Sequence, residues 1–173
     1  MPNLKLHPAP KRPATLKQVL ALKNPPAGGL GWHERIEAGL PAASLYTVAK
    51  AIRVTDKYLA NFLGVDLDAL QNDGALGRIE SDLLFAVARA YTRAATKMGV
   101  VRAGVWLATE QEALGGRAPI DALRTRIGTE YVSGLINQLG VARNHGDGGV
   151  ATDEKPSGSA STALPARSHF GRG

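Results

Sequence analysis

Few side chains in this 173-residue chain stand where chemistry would need them. The four histidines, His7, His33, His145 and His169, are isolated from one another, and no two lie one helical turn apart. There is no cysteine, which excludes disulfides, thiolate zinc sites and a thiol nucleophile. Glu110 and Glu112 would point to opposite faces of a helix, and Glu80-Ser81-Asp82 reads as a helix start rather than acid–base machinery. Gly146-Asp147-Gly148-Gly149 follows a helical pattern rather than a strand, so it is no dinucleotide loop. No cofactor, metal or catalytic group is expected, and the chain reads as a binding protein rather than an enzyme.

Charge gives the next candidates. The formal net charge is +6, but residues 1–35 hold six Lys/Arg against one acid, whereas residues 36–140 are balanced. Lys5, Lys11, Arg12, Lys17 and Lys23 therefore form a basic arm that suits phosphates, or merely a well-solvated leader. Prolines break up the N-terminus where a secretory signal would need an apolar run, and no stretch approaches a membrane span. A cytoplasmic protein is expected.

These residues must be held by helices, since no strand-like alternation of any length occurs. Pro-, Lys- and Gly-rich composition predicts a flexible basic leader over 1–34, with one short helix near Thr15–Leu22. Leu45, Val48, Ala49 and Ile52 repeat with helical spacing behind Pro41, which fits a first helical position. Thr55 can cap the next helix and Gly64 can stop it. Val65-Asp66 then leads into a short segment through Leu67 and Leu70 that ends at Asn72-Asp73-Gly74. Two short helices joined so tightly suggest a helix-turn-helix, with Gln71 and Asn72 able to read base edges. A longer helix is predicted from about Ser81 to Gly99, and a shorter one over 102–109. Gly115-Gly116 makes a turn, Pro119 starts the next helical turn, and Thr129 is the expected cap of the last helix. From residue 142 the composition is Gly/Ser-rich and predicts a disordered tail.

Three patches carry a family likeness: Glu37-Ala38-Gly39-Leu40-Pro41, Glu80-Ser81-Asp82-Leu83-Leu84, and Trp106-Leu107-Ala108-Thr109 with Ala113-Leu114-Gly115-Gly116-Arg117-Ala118-Pro119. In these the chain resembles the Xre/MbcA/ParS antitoxins, partners of RES-domain toxins that consume NAD or transfer ADP-ribose from it. The resemblance implies an all-α fold: an Xre-like helix-turn-helix domain over 35–85, a toxin-binding domain over 86–141, and tails outside both. It implies a homodimer within a larger toxin complex, and operator DNA as a second partner. Trp106, Leu114, Gly115, Gly116, Arg117 and Pro119 are the implied toxin contacts, although the same turn could simply close a helical hairpin, and a tryptophan placed as Trp106 is within its helix is most often core. Arg167, Phe170 and Arg172 are candidates to obstruct the toxin's NAD site, with paired guanidinium hydrogen bonds and ring stacking. One departure matters: Asp66-Leu67-Asp68-Ala69-Leu70-Gln71-Asn72-Asp73 has three acids and no base where the family's DNA-reading helix is basic. A stand-alone helix-turn-helix transcriptional regulator is the alternative function.

Overall fold

In the computed structural model the chain is described over residues 14–139. All regular structure there is helical: α1 (Leu16–Val19), α2 (Gly28–Glu37), α3 (Ala42–Ile52), α4 (Asp56–Leu63), α5 (Leu67–Asp73), α6 (Arg78–Met98), α7 (Val100–Ala108), α8 (Pro119–Ala122) and α9 (Arg126–Gln138). A single 3-10 turn, Glu112–Leu114, lies between α7 and α8. The expected all-α class holds.

The central element is α6, which packs against α1, α2, α3, α4, α7 and α9. Its Leu84, Val87, Ala88, Tyr91, Ala94 and Ala95 are buried at the 3.6-residue period of a core-facing stripe. Leu45, Val48 and Ile52 of α3, Leu107 of α7, Ile120 of α8 and Val132 and Ile136 of α9 join the same apolar cluster. Contact between α3 and α7 is close: a Cβ added at Gly104 would lie 2.6 Å from the Ala51 carbonyl oxygen. The expected division between residues 85 and 86 thus falls inside α6, within a core shared by both halves.

The flexible leader expected over 1–34 must be corrected for residues 14–34. Thr15 caps α1 through a reciprocal box with Gln18, and Val19, Leu20 and Leu22 are buried. The Ser44 hydroxyl donates to the Leu20 carbonyl at 2.6 Å, and that of Thr47 to the Val19 carbonyl at 2.7 Å. Trp32 of α2 then packs on Phe85 of α6, with ring centroids 5.0 Å apart. Composition suggested a linker, but three apolar side chains join the core and two backbone carbonyls find donors on α3. The expected tail from residue 142 lies outside the described residues.

Three helix starts also differ. Pro41 is the N-cap of α3 rather than its first residue, and α6 begins at Arg78, one turn before Ser81. The cap of α9 is Thr125, whose hydroxyl accepts from the Gly128 N–H at 3.0 Å. Thr129 lies inside that helix and donates back to the Thr125 carbonyl at 2.9 Å.

Candidate functional site

Two of the three recognisable patches turn out to hold one another. The Leu40 N–H donates to the buried Ser81 hydroxyl at 2.8 Å, and the Leu76 N–H to the Leu40 carbonyl, also at 2.8 Å. Gly39 has φ +85°, and a Cβ there would strike the Leu76 carbonyl oxygen. Arg78 pairs with Glu37 at 2.8 Å. That hydrogen bond and the carboxylate's charge raise the Arg78 pKa above its ordinary value. Both patches are therefore structural: they fasten the entry of α3 to the start of α6.

The third patch reaches the surface. After α7, the Thr109 hydroxyl donates to the Val105 carbonyl at 2.7 Å and the Gln111 amide to the Thr109 carbonyl at 2.9 Å. Gln111 and Arg117 then close a loop: the Gln111 N–H donates to the Arg117 carbonyl at 3.0 Å, and the Gly116 N–H to the Gln111 carbonyl at 3.1 Å. Gly115 and Gly116 form its tip at φ +63° and +78°, with nothing within 4 Å of an added Cβ. They are glycines because the turn needs left-handed backbone, not because a neighbour crowds them. Pro119 is buried at the start of α8 and anchors the exit.

Of the predicted contact residues, Gly115, Gly116 and Arg117 are exposed, Trp106 and Leu114 are half-buried against the core, and Pro119 is internal. Lys17 and Lys23 are exposed on the packed segment around α1, and Gln71 and Asn72 are exposed on α5. The Asn72 amide donates to the Asp68 carbonyl. Asp66 caps α5, accepting from the Asp68 N–H at 3.0 Å, and both carboxylates face solvent. Lys5, Lys11, Arg12, Arg167, Phe170 and Arg172 lie outside the described residues.

Sequence reasoning missed one neighbour of the turn and an exposed aliphatic residue on the same helix. Tyr131 on α9 is 53% exposed, and its hydroxyl donates to the Ala113 carbonyl at 3.0 Å, joining the helix to the turn. One turn earlier on α9, Ile127 is 81% exposed. Both stand out of phase with Val132 and Ile136, the buried positions of that helix. That phase offset was the available signal. Val101 and Val105 form a similar exposed pair on α7, a helix whose only polar side chain is Arg102.

Among the described residues no group of three His, Asp or Glu comes together as metal ligands. No helix there is long and apolar enough to cross a membrane. What the site presents is a backbone-locked turn with large apolar side chains beside it, the apparatus of a protein-contact face. Residues 98–140 match the family model of the antitoxin Xre/MbcA/ParS C-terminal toxin-binding domain. The match spans α7, the Gly-Gly turn, α8 and α9, and supports an antitoxin role with a toxin as partner. No curated protein matches the chain.

Proposed function

We propose that this protein is the antitoxin of a type II toxin–antitoxin pair and neutralises a RES-domain toxin that consumes NAD or transfers ADP-ribose. The observation that carries the reading is the coincidence of the matched segment with the exposed turn, Tyr131 bonded to it, and Ile127 exposed one turn earlier on the same helix. A contact face with fixed aromatic and aliphatic anchors beside a preset turn is how proteins bind proteins. In this reading the protein is a cytoplasmic, non-catalytic homodimer.

DNA binding belongs to the same proposal. In this reading α4 and α5, joined by Gly64-Val65-Asp66, serve as the helix-turn-helix, and their short lengths and tight connection support it. The exposed Asp66 and Asp68 would oppose phosphates, so Lys17, Lys23 and the basic residues before them supply the backbone attraction during autoregulation. The test is co-expression with a RES-domain protein encoded beside this gene. Relief of growth arrest and a stable purified complex are expected. Continued arrest with no complex, together with sequence-specific promoter binding by the chain alone, would replace the antitoxin by a stand-alone regulator.

A further inference from the structure

A cleft of about 840 Å³ opens between α6 and α9. Arg93 bridges the two helices, donating to the Ser133 hydroxyl at 3.0 Å and the side-chain Oδ1 of Asn137 at 3.1 Å. The lining carries four guanidinium groups, Arg89, Arg93, Arg124 and Arg126, against two carboxylates, Asp82 and Glu130. Glu130 is already paired with Arg126 at 3.0 Å, which leaves three guanidinium groups against Asp82. Arg124 is steadied by the Phe62 ring, 4.3 Å from its centroid. Each guanidinium has five N–H donors, so even the engaged ones keep donors to offer. The lining is not merely basic. Leu83, Ala86, Ala90 and Leu123 contribute to it, and Ile79 stands there 72% exposed.

Basic groups over apolar side chains fit a segment that brings both carboxylates and aliphatic anchors. Duplex DNA would satisfy the guanidinium groups and leave Ile79 and Leu83 against water. Another copy's acidic α5 would make a heterologous contact, which adds copies in open chains unless the rotation closes. The cleft also borders the proposed toxin face. Residues 123–137 of its lining lie in the matched segment, and Glu130 and Gly134 sit on α9 beside Ile127 and Tyr131.

We infer that the α6–α9 cleft is a second docking site for the toxin and takes an acidic, aliphatic-anchored segment of it. This rests on the antitoxin reading, and a probe that does not need the toxin separates the two. The probe is a fluorescent peptide of about ten alternating Glu and Leu residues, titrated against the full chain with and without the co-expressed RES-domain protein. The peptide should bind, compete with the toxin, and weaken as salt rises. Arg89→Glu with Arg126→Glu should lower affinity for peptide and toxin by about tenfold or more and flatten the salt dependence. Arg89→Lys with Arg126→Lys should restore most of it, with melting curves showing that all variants fold. Peptide binding without toxin binding would sink the antitoxin reading and leave the chemistry of the cleft standing. Toxin binding that neither the peptide nor the charge reversals disturb would overturn the cleft. So would charge reversals that abolish binding of a random-sequence duplex but spare the toxin.

Discussion

Replacing Gly116 by valine perturbs the turn through its backbone alone. At φ +78° an L-residue costs about 1–2 kcal/mol in the left-handed region, and a β-branched one more. No atom lies within 4 Å of the new Cβ, so steric collision adds nothing. The turn can escape the strain only by rotating position 116, which endangers its N–H bond to the Gln111 carbonyl and the Gln111 N–H bond to the Arg117 carbonyl. Each is worth about 1 kcal/mol net, so strain and rupture nearly balance and the turn is remodelled rather than the fold lost. Helicity by circular dichroism should hold and the melting temperature should drop only slightly. Toxin affinity, by calorimetric titration, should fall by about 5–30-fold, the equivalent of 1–2 kcal/mol. Gly116→Asn, which tolerates the left-handed region, divides the two uses of the glycine. Retained affinity would mean that only the backbone angle matters, and lost affinity that the toxin approaches too closely for any side chain. A valine variant with wild-type stability and wild-type toxin affinity would refute both the strain argument and the placement of the contact face.

Ser81→Ala should destabilise the chain by about 1–3 kcal/mol, because the Leu40 N–H would be left buried without a partner. Urea unfolding would measure the loss, and an unchanged midpoint would mean that water replaces the hydroxyl. Gly104→Ala drives a Cβ towards the Ala51 carbonyl and should cost about 1–3 kcal/mol of overpacking, partly offset by about 1 kcal/mol of helix propensity. One shared transition is expected, and a biphasic curve would show that the halves unfold separately. Burial raises the Tyr91 pKa above the usual tyrosine value of about 10, although Arg53 opposes the shift. A raised folded-state pKa means that this contribution is complete below about pH 10 and is lost as pH rises through the folded value. Tyr91→Phe should remove that step from an alkaline unfolding series, and its persistence would point to another group.

Features fixed within one or two turns of chain were legible in the residues. Thr55 accepts from the Tyr58 N–H, and Gly64 and Gly74 end their helices in the left-handed region, as capping chemistry requires. The ends that went astray depend on distant groups. Thr125 rather than Thr129 caps α9 where Gly128, whose Cβ would strike the Ala122 carbonyl, lets the chain fold tightly back. The packing of residues 14–34 draws on two hydroxyls of α3, 24 and 28 positions away, and on Phe85 of α6. The Gly-Gly turn announced itself by composition, but its companions did not. Tyr131 joins it through a bond spanning 18 residues, and exposure of an isoleucine is a property of assembled helices.

The way the turn is held bears on how tightly it can bind. A loop that orders only on contact gives up about 1–2 kcal/mol of backbone entropy per residue, which subtracts directly from affinity. Here that ordering is done within the free chain. Gln111 and Arg117 close the loop, Tyr131 fastens it to α9, and Leu107 and Ile120 sink its two stems into the core. That core is continuous with α3 through Gly104 and with α6 along its length. Most of the favourable contact energy of Ile127 and Tyr131 would then appear as affinity. Under the proposed function, a toxin seated on the turn would by the same continuity bear on the packing that supports α4 and α5, and linkage would make any resulting effect on DNA reciprocal. Coupling between those two proposed partners would then need only a difference in how this shared core packs.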